Sequence, residues 1–247
     1  MMVVDCRILY NRKIAKDTYK ISLQWENMPK IKPGQFVNVA IENNFLRRPI
    51  SISQVMRKEG IVLVYKIVGE GTKKLSQLVE NQKINLMGPL GNGYELSDER
   101  EVLIIGGGAG VPPLLELAKQ YIEIGSKVNV VLGFADAESV FYEEEFADVG
   151  CRVYVATDDG SYGFKGTALD CIKHKKITSN FVCSCGPQSM LKAVEKTYSH
   201  GFLSFESRMA CGIGVCMACV ANDKIEENMY HRICKEGPVF RIGQIEF

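Results

Sequence analysis

Between Glu101 and Ser199 the chain alternates four times between a short apolar run and an amphipathic stretch, and few folds accept that pattern. "EVLIIGGG", "KVNVVLGF", "CRVYVATDD" and "NFVCSCG" read as buried strands. "PPLLELAKQYIEIG", "SVFYEEEFADVG", "GTALDCIKH" and "PQSMLKAVEKTYSH" read as the helices that follow them. Four strand–helix units in series predict a doubly wound parallel sheet with helices on both faces. From Val3 to about Leu96 the texture differs: β-rich runs such as "TYKISLQW", "GQFVNVAI", "RRPISISQV" and "KINLMGPLG" are separated by Gly and Pro turns. That punctuation predicts an antiparallel barrel or sandwich, with "LSQLVEN" as its one short helix. The remainder is short, bears cysteines and ends in a strand-like "GPVFRIGQIEF". The expected divisions are 1–98, 99–200 and 201–247.

A chain of 247 residues has length enough for two buried cores. Its formal charge of +1 gives no general argument for nucleic acid or for an anionic membrane surface. "MMVVDCRILYNRK" lacks the apolar core and cleavage site of a signal peptide, and no apolar run has the length to cross a bilayer. A cytoplasmic location is the expectation. Nine cysteines without a signal peptide do not form a disulfide framework in a reducing compartment. Five of them, Cys6, Cys151, Cys171, Cys183 and Cys185, are scattered, as small buried hydrophobes are.

The other four are clustered: Cys211, Cys216, Cys219 and Cys234 form C-x4-C-x2-C-x14-C. Structural zinc usually takes two short-spaced pairs. A tight trio with one distant fourth ligand is the plant-type order for a [2Fe–2S] cluster. Gly212 and Gly214 let the backbone wrap closely and aim N–H groups at the sulfurs. Zinc on the same four ligands stays open at this point. His231 is expected as a supporting or surface residue, because Rieske-type centres need two histidines and four thiolates already suffice.

"IIGGGAGVPPLLELA" follows a strand and opens a helix, where Gly106, Gly107, Gly108 and Gly110 permit a tight turn and close approach of a pyrophosphate. Pro112 and Pro113 interrupt the Rossmann fingerprint and suggest another dinucleotide fold. Cys185, Gly186 and Pro187 fall at the C-terminal edge of the sheet, the second side of a nicotinamide cleft. In the barrel, "RRPISI" allows Arg48 to pair with a pyrophosphate and Ser51 to reach a flavin nitrogen, while each taken singly is also ordinary strand and turn chemistry. In "YKIVGEGT", the turn Gly69–Thr72 offers backbone N–H groups to phosphate. Asp158 and Asp159 at the end of the third strand, with Asp136 after the second, favour NAD over NADP by repelling a 2′-phosphate. Each of these aspartates could equally begin a turn or cap a helix.

A barrel with "RPIS", then "GGGAGVPP", then "CGP", resembles the ferredoxin reductase superfamily. Ile50 stands where that family's Arg-x-Tyr-Ser pattern has a tyrosine stacked on the flavin. With "ESRMACGIGVCMACV", the whole chain resembles the iron–sulfur electron-transfer subunits of bacterial NAD-dependent dihydroorotate dehydrogenase. The resemblance implies a flavin-binding antiparallel barrel, a doubly wound nucleotide domain and a small [2Fe–2S] segment. It implies FAD on Arg48, Pro49, Ile50 and Ser51, on the Tyr65–Lys66–Ile67 backbone, and on Gly71 and Thr72. NAD would lie by Gly107, Gly108, Gly110, Asp158, Cys185, Gly186 and Pro187, and the cluster on Cys211, Cys216, Cys219 and Cys234. The redox groups carry the chemistry, with Ser51 and Cys185 expected beside flavin and nicotinamide. The implied partner is an FMN-containing catalytic subunit, in a heterotetramer of two plus two. The alternatives are the reductase subunit of a sulfide dehydrogenase or bifurcating transhydrogenase, and a zinc-stabilised nucleotide-binding regulator.

Overall fold

The structure is a computed structural model and describes residues 1–56 and 59–246; Phe247, the last residue of the expected terminal strand, lies outside them. Six strands close into an antiparallel barrel: β1 (Met2–Ala15), β2 (Thr18–Gln24), β3 (Phe36–Val39), β4 (Arg48–Met56), β5 (Gly60–Lys66) and β6 (Lys83–Leu90). They run around it in the order β1-β2-β5-β4-β3-β6. Alternation decides which side chains enter. In β6, Ile84 and Leu86 are buried while Asn85 and Met87 beside them are more open. Ile8, Ile21, Val37, Ile52 and Leu63 complete the same interior with Trp25. The helix of this region, α1, runs Glu70–Ser76 and so begins five residues before the expected "LSQLVEN". Local polar chemistry starts it early: Thr72 Oγ1 accepts the backbone N–H of Val68 at 3.0 Å. Gly71, Thr72 and Leu75 form its buried side.

The alternating block forms the predicted parallel sheet. Its elements are β7 (Glu101–Gly107), α2 (Pro112–Glu123), β8 (Lys127–Phe134), α3 (Glu143–Asp148), β9 (Arg152–Thr157), β10 (Phe164–Lys165), α4 (Ala168–Lys175), β11 (Val182–Cys185) and α5 (Gln188–Thr197). Then come β12 (Gly201–Ser204), the small antiparallel pair β13 (Val220–Asn222) and β14 (Tyr230–Arg232), and β15 (Val239–Arg241). The large sheet is ordered β10-β9-β8-β7-β11-β12-β15, parallel except for β15 at its edge. The chain therefore builds outward in one direction from β7 through β8 and β9, then returns to add β11 on the other side. That reversal makes a crevice at the C-terminal ends of β7 and β11, where open α/β sheets bind ligands.

The barrel is fastened to this sheet through α2 and its neighbours. Glu116 Oε2 accepts the backbone N–H of Val55 at 3.0 Å, and Tyr142 Oη and Ser53 Oγ share a hydrogen bond of 3.0 Å. Tyr94 Oη donates to the carbonyl of Ser184 at 3.2 Å, which fixes the end of β11. The cysteine-bearing stretch between β12 and β15 has a small core of its own: Cys219, Ile233, Cys234, Phe240 and Ile245. Phe36 and Leu90 of the barrel complete that core. No helix among the described residues is long and apolar enough to cross a membrane.

Candidate redox centre and nucleotide cleft

A cavity of about 470 Å³ opens where the crevice meets the barrel. Gly107, Gly108 and Pro187 line it from the ends of β7 and β11, and Asp158 from the turn after β9. Tyr65 and Lys66 line it from the end of β5. Its wall is largely apolar, from Pro112, Phe134, Phe141, Leu169 and Met190 among others, with a few polar groups, as small-molecule sites are built. Of the expected flavin elements only Tyr65 and Lys66 reach this cavity; Arg48, Pro49, Ile50, Ser51, Gly71 and Thr72 do not line it.

The glycines divide the work. Gly108, at φ +49, has open space where a Cβ would stand. A Cβ on Gly110 would lie 2.4 Å from the backbone of Cys185 and Gly186, and one on Gly186 would lie 3.0 Å from Gly107. Gly110 and Gly186 therefore allow the two strand-end loops to touch, and neither lines the cavity. Cys185 also departs from its expected place beside the nicotinamide. Its side chain is 2% exposed and packs in the sheet's core, and burial pushes the thiol up. Cys6, Cys151, Cys171 and Cys183 are buried as expected, and all nine cysteines are free thiols. Two of the three aspartates are turn formers. Asp136 Oδ1 accepts from Ser139 N at 2.9 Å, and Asp159 Oδ1 from Ser161 N at 2.9 Å. Asp158 alone of the three lines the cavity.

On the barrel, Arg48 is brought against α1. A Cβ on Gly71 would lie 2.7 Å from the Arg48 Nε, so glycine is what lets the guanidinium lie over that turn. The fork is oriented from behind: Nη1 donates to the Leu46 carbonyl at 2.6 Å and Nη2 to Asn44 Oδ1 at 3.2 Å. An arginine held in this way, beside the backbone of Gly71 and Thr72, suits a pyrophosphate. Pro49 is exposed on the same strand, and Ser51 is half-buried. Ile50 is turned the other way. It is buried in the barrel core opposite Val37, so its side chain is not free to stack on a ligand outside the barrel.

The four clustered cysteines lie on and around the small core. Gly212 and Gly214 adopt φ of +70 and +80, and the loop they shape points three backbone amides at one sulfur. Ile213, Val215 and Cys216 donate to Cys211 Sγ at 3.5, 3.4 and 3.5 Å. Burial pushes the Cys211 thiol up, but these amides outweigh it and pull it down to about 6. Cys234 N donates to Cys219 Sγ at 3.4 Å, and both residues are buried. The backbone amides of Cys216 and Cys234 thus each meet another cysteine's sulfur, that of Cys211 and that of Cys219. No group of three or more metal-ligating side chains converges on a single point among the described residues.

The support for this loop was not visible in the sequence. Arg232 Nη1 donates to the Gly214 carbonyl at 2.7 Å, and its Nε and Nη2 are held by Glu236. His231 is buried rather than superficial: Nε2 lies 2.8 Å from Asp223 Oδ2, and the ring packs on Phe240. The amides of Glu226 and Ile225, with His231, hold the Asp223 carboxyl down at about 2.

Comparison with known proteins agrees with this geometry. Residues 206–246, which include all four cysteines, match the family model of the iron–sulfur cluster binding domain of dihydroorotate dehydrogenase B. The chain is 46% identical to the dihydroorotate dehydrogenase B (NAD(+)) electron transfer subunit of Fusobacterium nucleatum, over 100% of this chain and 99% of that one. Among solved structures it superposes on the NADH-dependent reduced ferredoxin–NADP oxidoreductase with a TM-score of 0.88 and 28% identity, over 98% of this chain and 89% of the other. It also superposes on a ferredoxin NADP+ reductase of Neisseria gonorrhoeae with bound FAD and NADP. There the TM-score is 0.67 at 15% identity, over 80% and 90% of the two chains, a likeness of fold. A ferredoxin reductase-like barrel and sheet, joined to an iron–sulfur segment and matched over its full length, make this chain a member of the electron transfer subunit family of NAD-dependent dihydroorotate dehydrogenase B.

Proposed function

We propose that this chain conducts electrons from the FMN of a dihydroorotate-oxidising catalytic subunit, through a [2Fe–2S] cluster and FAD, to NAD+. The observation that carries the reading is the seating of the cysteine loop. Phe36 of β3 belongs to the core that buries Cys219 and Cys234, and Phe36 pairs in register with Ser51 of β4, the strand expected to hold the flavin. Cys211, Cys216, Cys219 and Cys234 hold the cluster in this reading. Arg48, Pro49, Ser51, the backbone of Ile50, Tyr65, Lys66 and Ile67, and Gly71 with Thr72 hold FAD. Bound there, the cluster supplies single-electron steps and the flavin their conversion to the two-electron exchange of the nicotinamide.

The chain's own residues do the rest. Gly107, Gly108, Pro187 and Asp158 shape a cleft open to the nicotinamide nucleotide. Gly110 and Gly186 hold the two sides of that cleft together, and the apolar wall excludes water. Asp158 disfavours a 2′-phosphate and so favours NAD over NADP. Cys216 is exposed, and Val215, Met217, Ile225, Met229 and Tyr230 expose apolar surface in the same segment. Such a surface suits a protein partner, and the catalytic subunit is the one an electron transfer subunit requires. The same reading sets the divisions at 98/99 and 200/201, a heterotetramer of two plus two, and a cytoplasmic location.

The test is a coupled assay on the gently purified, anaerobic pair. Dihydroorotate-dependent reduction of NAD+ should require both chains and should fail with either alone. A catalytic subunit that reduces NAD+ equally well without this chain would end the proposal. Light scattering of the purified complex tests the two-plus-two stoichiometry.

A further inference from the structure

We propose that Asn38 is a positioning residue for electron transfer: its side-chain amide fixes the Cys211 end of the cysteine loop to the barrel strands that carry the flavin. This rests on the reading of Cys211 as a cluster ligand and of β4 as the flavin strand. Asn38 is in β3, in register with Pro49 on β4 and Met87 on β6. Its neighbours Val37 and Val39 enter the barrel core, so Asn38 stands on the outer face. The cysteine loop covers it there, leaving it 1% exposed. Nδ2 donates to the Cys211 carbonyl at 3.2 Å. The next residue, Gly212, comes so close that a Cβ would lie 2.1 Å from Nδ2, and its φ of +70 is one that L side chains rarely adopt. The contact therefore depends on glycine opposite asparagine.

Asn38 is itself held. Arg47 Nη1 donates to the Asn38 carbonyl at 3.2 Å, and Arg47 Nη2 to Asn85 Oδ1 at 2.6 Å. Asn85 Nδ2 in turn donates to Asp5 Oδ1 at 2.7 Å. One polar chain thus runs from Asp5 on β1, through β6 and β3, to the backbone of the first cysteine. Asn38 Oδ1 is buried without a hydrogen-bond partner, an arrangement that disfavours the folded chain. An apolar side chain of the same size would fill the space without leaving an acceptor unmatched. What asparagine adds is the donor to Cys211. Among the described residues, this bond is a polar link between the flavin strand pair and the cysteine trio, beside the links that Asn92 makes to Glu236 and Val239. Loosening it lets the separation of the two redox groups vary, and electron transfer is sensitive to separation.

The test uses Asn38→Leu, which removes the donor at nearly constant volume, and Asn38→Ser, which keeps a short donor, each in the assembled two-subunit complex. Iron and flavin contents are measured, then anaerobic stopped-flow reduction by NADH, with flavin absorbance and the electron paramagnetic resonance of the cluster followed separately. The expected result is full iron and flavin and unchanged flavin reduction. Cluster reduction should slow roughly tenfold or more in Asn38→Leu, with partial recovery in Asn38→Ser. Cluster reduction at the wild-type rate in a fully loaded Asn38→Leu overturns the proposal. So does loss of iron in Asn38→Leu combined with an unchanged rate in Asn38→Ser, which would make Asn38 a brace of the loop only. Wild-type complex lacking iron or flavin would instead remove the reading on which it rests.

Discussion

The barrel and the cysteine segment are neighbours built on opposite principles. The barrel closes on itself, with hydrogen bonds all round and an interior of its own aliphatic side chains. The cysteine segment has one two-stranded ladder, a handful of buried residues and two borrowed from the barrel, Phe36 and Leu90. Burying a side chain such as Phe or Leu contributes about 1.5–3 kcal/mol, so so few cannot hold some forty residues in one conformation. In the proposed reading, metal–thiolate bonds supply the rest. The dependence runs one way: the segment leans on the barrel and on its metal, whereas the barrel's core includes nothing from the segment.

That asymmetry can be broken at either end. The largest effect is expected from Cys234→Ser, which removes a buried thiolate from the Cys219 pair. Iron should be lost and dihydroorotate-dependent NAD+ reduction abolished, while FAD stays bound and NADH still reduces dyes. Iron content and coupled activity equal to wild type would show that Cys234 is no ligand.

The converse variant is Arg48→Ala. Loss of a charge-assisted fork on a pyrophosphate costs about 2 kcal/mol and should lower FAD retention more than about tenfold, with iron unchanged. Lysine should recover only part, because a point charge cannot reproduce the fork. Full flavin occupancy in the alanine variant would move the contact elsewhere.

A smaller effect is expected in the cleft, which the barrel lines on one side and the cysteine segment does not line. Asp158→Asn should leave both cofactors in place and narrow the preference for NADH over NADPH by roughly fivefold in kcat/KM for dye reduction. Equal kcat/KM for the two nucleotides in the unaltered protein would defeat the assignment of NAD.

The smallest concerns the clamp on the cysteine loop. Arg232 holds the Glu236 carboxyl down at about 2, so this carboxylate stabilises fully above the ordinary carboxylate range near 4. Its contribution is lost as pH falls through about 2. The contribution of this pair to iron retention should therefore stay constant between pH 8 and pH 5. Glu236→Gln should hasten release roughly twofold to fivefold at neutral pH, the small effect expected of a half-exposed pair. An unchanged release rate would mean that the clamp does not hold the loop.

What the sequence disclosed follows the same division. The strand–helix alternation is local and periodic, so the sheet and its switch point could be read from it. The cysteine spacing is local too, and the matched iron–sulfur domain spans it. Features that depend on which strands face each other were hidden. Ile50 enters the barrel because β4 pairs with β3 in a register that sends Val37 inward beside it. Cys185 turns to the core because its strand is central. α1 begins at Glu70 because Thr72 caps it, whereas "YKIVGEGT" by itself reads only as a turn. Asp136 and Asp159 act as the turn formers their positions allowed. Asn38 gave no signal at all, since its meaning lies in Cys211, 173 residues away.

The most direct test of the account is to reduce the anaerobically purified chain with NADH and record its electron paramagnetic resonance alongside iron, sulfide and flavin analysis. The account predicts one FAD, about two irons and two sulfides per chain, and a signal from a reduced [2Fe–2S] centre that Cys234→Ser abolishes. A chain holding zinc in place of iron, or an iron centre that NADH cannot reduce through the bound flavin, would contradict it.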